Sequence, residues 1–276
     1  MLKALSKKTS MGVIAAIILG AAAPGVAADV GAMIDEAMSG EHRLEANKLR
    51  DGFRHPKQTL LAFGLEADMK VIEITPGRGW YTEILAPVLR DSGTMYAASY
   101  EITDRSRDFF RQLDAGYRAK LEARPTVYDG VEIVYFNPAA PELAPPNSVD
   151  MVLTFRNVHN WAKAGTAEAM FQAFSNALKP GGILGVVEHR AKPGTPIEKQ
   201  IKSGYMTEDY VIEMALKAGF RLAGSSEINA NPNDTKDYPG GVWNLLPNLR
   251  NVPEDEVAKY RAIGESDRMT LKFVKR

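Results

Sequence analysis

The sequence contains no cysteine. Disulfides, thiolate nucleophiles and cysteine metal sites are therefore excluded, although the absence does not identify a compartment. It also lacks an excess of charge of either sign, with 34 basic and 34 acidic side chains in 276 residues. That balance excludes the basic footprint of a nucleic-acid-binding protein. Histidine is scarce, with four residues and no His-x-x-x-His pair. The acidic residues do not cluster at ligand spacing, so no metal site is expected. The polar run 233–237 lacks the glycine and the distal glutamate of an EF-hand. Long apolar runs are missing too, apart from one near the start.

That run, Met11 to Ala23, follows Lys3, Lys7 and Lys8 and ends at Pro24 and Gly25. Val26-Ala27-Ala28 then offers small residues ahead of a cleavage point. The pattern reads as a secretory signal peptide over residues 1–28, cleaved after Ala28. A spanning helix needs about 20 apolar residues, and this run is short of that. The expected product is exported, periplasmic or secreted, with no stable membrane insertion after cleavage. Loss of the three lysines gives it a net charge of −3.

What remains has ordinary globular composition, 45% hydrophobic and 25% charged, and suffices for one large α/β domain. Residues 29–60 read as a helical N-terminal extension, interrupted at Pro56. From 61 to 276, strands alternate with helices. Strands are expected at Val71–Ile74, Thr94–Tyr100, Val131–Phe136, Val149–Phe155, Ile183–Val187, Phe220–Ile228 and Met269–Val274. Helices are expected at Trp80–Leu89, Asp104–Glu122, Thr166–Leu178 and from Thr207, as N-cap, to Gly219. The fold class is α/β, a Rossmann-like and mostly parallel seven-stranded sheet with helices on both faces. An irregular, Asn- and Pro-rich insertion near 229–252 is either a substrate lid or an ordered surface loop.

The first strand runs into Thr75-Pro76-Gly77-Arg78-Gly79 and then a helix. Gly77 and Gly79 permit positive φ and close approach of the backbone to a ligand. The following helix N-terminus favours an anionic group. The segment resembles motif I of the class I S-adenosylmethionine-dependent methyltransferases, written acid-x-Gly-x-Gly-x-Gly. Glu73 takes the acid position, Thr75 stands where the first glycine is expected, and Gly77 and Gly79 match the other two. Ser148–Leu153, Leu178–Gly182 and Ala218-Gly219-Phe220 resemble later segments of the same family, in order. The chain also resembles a family of exported, predicted methyltransferases. That likeness rests on Arg50, Asp51, Arg54 and Pro56, on the Pro-Gly-x-Gly turn, and on the ending Asp267 to Phe273.

The resemblance implies S-adenosylmethionine as cofactor and a small-molecule acceptor, with Glu73, Thr75, Gly77 and Gly79 on the cofactor. The acid that usually ends strand two is Ser99 here. Glu101, two residues on, is the candidate ribose ligand, with a solvated strand-end glutamate as the alternative. Asn137 either contacts adenine through its amide or forms an Asn-Pro turn. The polar stretch 156–161 follows strand four, at the sheet edge where ligands of such folds sit. His159 is a candidate general base or substrate orienter there, or a structural helix cap. Asn157 is a candidate donor or substrate ligand, and Trp161 a packing residue. His189, in Glu188-His189-Arg190 at the end of strand five, is a further catalytic candidate. Glu188 and Arg190 share a face and suit an ion pair. His42 and His55 lie in the helical extension, where His55, beside Arg54, either closes over the pocket or is a surface residue.

Two other functions compete. A dinucleotide oxidoreductase is disfavoured because Thr82 replaces the third glycine and strand two lacks its terminal acid. A non-catalytic exported binding protein on the same fold is favoured by the export signal, since S-adenosylmethionine is made in the cytoplasm. The oligomeric state is left open by the sequence.

Overall fold

A computed structural model describes residues 29–276; the expected signal peptide and its cleavage site at Ala28 lie outside the described residues. Seven strands form one sheet: β1 (Lys70–Ile74), β2 (Thr94–Tyr100), β3 (Val131–Phe136), β4 (Val149–Phe155), β5 (Leu178–His189), β6 (Phe220–Ser226) and β7 (Arg268–Lys275). Their order across the sheet is β3-β2-β1-β4-β5-β7-β6. β3, β2, β1, β4 and β5 pair in parallel, whereas β7 is antiparallel to both of its neighbours. The expected α/β class and the mostly parallel seven-stranded sheet with helices on both faces are what the chain adopts.

The two faces follow from strand periodicity. Ile72, Ile74, Val152, Leu184 and Val186 bury one side of the sheet against Phe171, Phe174 and Val211. Val71, Met151, Leu153 and Val187 bury the other against Ile34, Leu60, Phe63 and Ile84. Helices Val30–Ser39 and Pro56–Phe63 of the N-terminal extension therefore share the second core rather than standing apart. Asp29 caps the first of them by accepting from the N–H groups of Gly31 and Ala32. Thr207 caps its helix as expected, accepting from the Tyr210 N–H.

Some elements differ from expectation. β5 begins at Leu178 instead of Ile183 and runs through Lys179-Pro180-Gly181-Gly182, where a break is expected. The break survives as a register shift in the β4–β5 pairing, between Val149 and Met151. Short helices at Val158–Ala164, Ile197–Ser203 and Val257–Ile263 have too few turns to show a periodic apolar stripe. Among the described residues no helix is long and apolar enough to cross a membrane.

Candidate active site

Strand order reverses between β1 and β4, so the crevice beyond their carboxyl ends is where a ligand fits this topology. A cavity of about 370 Å³ lies there. Glu73, Thr75, Gly77, Asn157, His159 and His189 all line it. Gly79, Glu101 and Asn137 do not line this cavity.

The Gly-rich turn keeps its motif-like backbone despite the substitution at its start. Thr75 adopts φ 48°, Gly77 φ 64° and Gly79 φ 75°. A threonine at positive φ is strained, and such strain concentrates at ligand sites. The buried Thr75 hydroxyl has no hydrogen-bond partner. A side chain at Gly77 would meet no protein atom within 4 Å, whereas one at Gly79 would sit 3.0 Å from Tyr117 Cε2 and 3.3 Å from Thr82 Oγ1. Gly77 is thus the glycine that leaves room for a ligand, and Gly79 lets the turn pack on the helices. Gly77→Val is expected to fold, with about 1–2 kcal/mol of backbone strain, and to lose S-adenosylhomocysteine binding in a calorimetric titration. Gly79→Val tests the site less cleanly, because it disturbs Tyr117 and Thr82 first. Glu73 is buried and accepts from Thr82 Oγ1 at 2.6 Å. Burial pushes its carboxyl up to about 7, against the opposing Thr82 hydrogen bond and the Lys120 charge.

His159 is not a helix cap. Its Nδ1 lies 3.0 Å from Glu188 Oε1. Glu188 also accepts from the His189 N–H at 2.8 Å and the His159 N–H at 3.3 Å. A carboxylate ringed by donors makes Nδ1 the donor and leaves Nε2 as the ring's acceptor. Glu188 does not pair with Arg190, contrary to the shared-face expectation. Arg190 instead reaches Asp267 at 2.9 Å and Glu227 at 2.7 Å. His189 Nδ1 bonds Ser266 Oγ. Burial, then the nearby His159 and Arg156, hold His189 well below the usual histidine range, so it is neutral at physiological pH.

Sequence spacing offers no metal-type set, yet three side chains come together in space. His159, Glu188 and His189 offer ligand atoms within 4.8 Å of one another, because the end of β5 and the helix after β4 meet in space. The hydrogen bonds just described already occupy Glu188 and one nitrogen of each ring.

Asn157 donates to the Ile74 carbonyl at 3.0 Å and to Thr154 Oγ1 at 3.2 Å, tying the ends of β1 and β4. Asn137 uses its side-chain oxygen to accept from the Ala139 N–H at 3.0 Å, the Asn-Pro turn. Glu101 is exposed just beyond β2, its N–H donating to the Phe136 carbonyl at 3.0 Å. Trp161 is buried and donates to Tyr100 Oη at 2.9 Å, a packing role. Val242, Trp243 and Leu246–Asn248 of the insertion form one wall of the cavity, and Asn47, Arg50 and Arg54 of the extension form another.

Sequence reasoning missed a cluster of guanidiniums. Arg50, Arg54, Arg156 and Arg268 all line the cavity beside one carboxylate, Glu265. Glu265 pairs with Arg50 Nε at 2.5 Å, with Arg54 Nε at 3.3 Å and with Arg268. Burial alone would raise the Glu265 carboxyl, but Arg268, Arg54, Arg50 and Arg156 outweigh it and hold it well below the usual carboxylate range. Arg54 lies 4.5 Å over the Trp80 ring, a cation–π contact. Arg156 sits at φ 62°, a second strained residue at this edge. Arg50, Arg54 and Arg268 were visible only as parts of the two terminal motifs, with no sign that they meet.

The sequence matches no protein-family model and no curated protein. Solved structures share its architecture. A SAM-dependent methyltransferase from Aquifex aeolicus is 15% identical with a TM-score of 0.54, covering 89% of this chain and 98% of its own. The (4+2)-cyclase SpnF is 14% identical with a TM-score of 0.59, covering 86% and 85%. The glycopeptide N-methyltransferase MtfA, solved with sinefungin, is 14% identical with a TM-score of 0.51, covering 82% and 94%. The chain has the class I methyltransferase fold. At these identities the likeness speaks for the fold alone.

Proposed function

We propose that the chain transfers the methyl group of S-adenosylmethionine to a small or medium organic acceptor. The carrying observation is that the His159–Glu188 pair opens on the same cavity as the Thr75–Gly77 turn. The residues fit the donor: the open position at Gly77, the unpartnered Thr75 hydroxyl and the acid Glu73 face one crevice. Glu73, Thr75 and Gly77 hold it in this reading, with Glu101 on the ribose. Bound there, the donor supplies an electrophilic methyl on a sulfonium. The chain's own contribution is orientation, which is worth about 7–11 kcal/mol in favourable cases, and proton removal. His159 Nε2 takes the acceptor's proton, Glu188 stabilises the resulting imidazolium, and neutral His189 and Asn157 keep the two strand ends in place. Trp243, 6.1 Å from the His159 ring, shields the site from water. Export after cleavage near Ala28 completes the reading.

Calorimetric titration with S-adenosylmethionine, S-adenosylhomocysteine and NAD tests it. Binding of the first two without NAD is expected. NAD binding alone would replace this reading with an oxidoreductase. Glu101→Ala is expected to weaken S-adenosylhomocysteine by about 1.5–3 kcal/mol, the scale of a charged hydrogen bond. A change of only a few tenths would remove Glu101 from the donor site. The expected export signal favours a second reading, a non-catalytic binding protein that keeps the fold and holds an organic ligand without methyl transfer. Release of S-adenosylhomocysteine in the presence of acceptors separates the two.

A further inference from the structure

The arginine cluster is more positive than the protein around it can satisfy. Arg50, Arg54, Arg156 and Arg268 share Glu265 as their one carboxylate within the cavity wall they form. Arg50 Nη2, Arg54 Nη2 and Arg268 Nε are buried without a hydrogen-bond partner. The Arg156 side chain has no hydrogen-bond or ion-pair partner among the described residues. Buried charges are normally paired, and buried donors normally bonded. Four guanidiniums against the one carboxylate that three of them pair with leave an excess that an anionic ligand would meet.

The donor does not offset it in net charge. S-adenosylmethionine carries a sulfonium and an ammonium against one carboxylate, so it brings net positive charge into the same crevice. The compensating anion must arrive with the other substrate. Planar forked guanidiniums suit carboxylate and phosphate oxygens, to which they bond two at a time.

We propose that the methyl acceptor is an anion, a dicarboxylate or a phosphate-bearing molecule, whose charged groups are held by Arg50, Arg54, Arg156 and Arg268. This rests on the methyl-transfer reading for the word acceptor, while the anion site itself stands on the cluster. Arg156 and Arg50 make the first contacts. Arg156 has no hydrogen-bond or ion-pair partner among the described residues and feels Glu265 only through its charge, and Arg50 is the most accessible of the three bound to Glu265. The arginines and His159 line one cavity, so an acceptor whose anionic end is held by the cluster can present its reacting end to His159.

The full chain is titrated calorimetrically, with saturating S-adenosylhomocysteine, using succinate and inorganic phosphate as probes and succinamide as the neutral control. Binding of at least one anion and none of succinamide is expected. Arg156→Gln is expected to weaken the bound anion by at least about tenfold and S-adenosylhomocysteine by less than about threefold. No ion pair is lost in that variant, so it is expected to fold. Arg50→Gln, which leaves Glu265 with two partners, should repeat the result, and melting curves of both variants control for folding. If neither anion binds the wild type, the proposal is overturned. It is equally overturned if the two variants weaken S-adenosylhomocysteine as much as the anion, since the cluster would then serve the donor's carboxylate. Anion binding in a protein that never binds S-adenosylhomocysteine would sink the methyl-transfer reading and leave the anion site standing.

Discussion

Glu265→Gln is expected to destabilise the protein by about 3–5 kcal/mol at pH 7, the cost of removing one partner from a buried ion pair. The side chain keeps its shape and one acceptor oxygen, so the loss is that of charge. Arg50, Arg54 and Arg268 bond Glu265 directly, and Arg156 lies close enough to lower its proton affinity further. Without the carboxylate, four guanidiniums repel one another inside the cavity wall. The pH dependence has a definite sign. The folded carboxyl titrates below its unfolded value of 4.5, so its stabilisation is complete above that value and is lost as pH falls toward the folded one. The gap between wild type and variant should therefore be widest near neutrality and narrow below about pH 4.5. Urea unfolding of both proteins at pH 7 and at pH 4 measures it. Equal stability at pH 7 would show that the guanidiniums do not depend on Glu265.

His159→Ala is expected to reduce methyl transfer by about two to four orders of magnitude, the range supplied by a positioned general base. Donor affinity should stay within a few-fold, because His159 lies on the acceptor side of the cavity in this reading. The variant should fold with a loss near 1 kcal/mol, since Glu188 keeps the His189 and backbone 159 N–H donors. Glu188→Gln makes an independent check. It keeps the packing but weakens the pull on the His159 Nδ1 proton, so turnover should fall with little change in donor binding. The assay uses anionic acceptors and reads S-adenosylhomocysteine release. Turnover that drops only in proportion to the folded fraction would return His159 to a purely structural role.

Much of the scaffold could be read locally. The β-forming runs at 94–100, 131–136 and 149–155 coincide with β2, β3 and β4. The Gly77-Arg78-Gly79 turn is a backbone requirement written in residue type, and both glycines adopt positive φ. His159, Asn157 and His189 were found as polar residues following apolar strands, where core packing does not explain them. Their partners were not found. Glu188 was assigned to Arg190 because strand parity says which face a side chain takes, not which neighbour waits there. Asn137 forms a turn in the structure, a role its Asn-Pro sequence allowed but did not select over an adenine contact.

The sequence by itself determined the sheet, the Gly-rich turn and the sheet edge that carries the site, because strand period, turn chemistry and strand–helix alternation act over a few residues. Tertiary structure alone decided the charge of the site. β7 runs antiparallel to β5, so the chain around Glu265 and Arg268 begins its strand at the same edge where β1, β4 and β5 end. The N-terminal helices then set Arg54 against Glu265 across 211 positions of sequence. No local pattern encodes a pairing over that separation; it exists only because two ends of the chain close over one crevice, where burial makes the charges strong enough to matter.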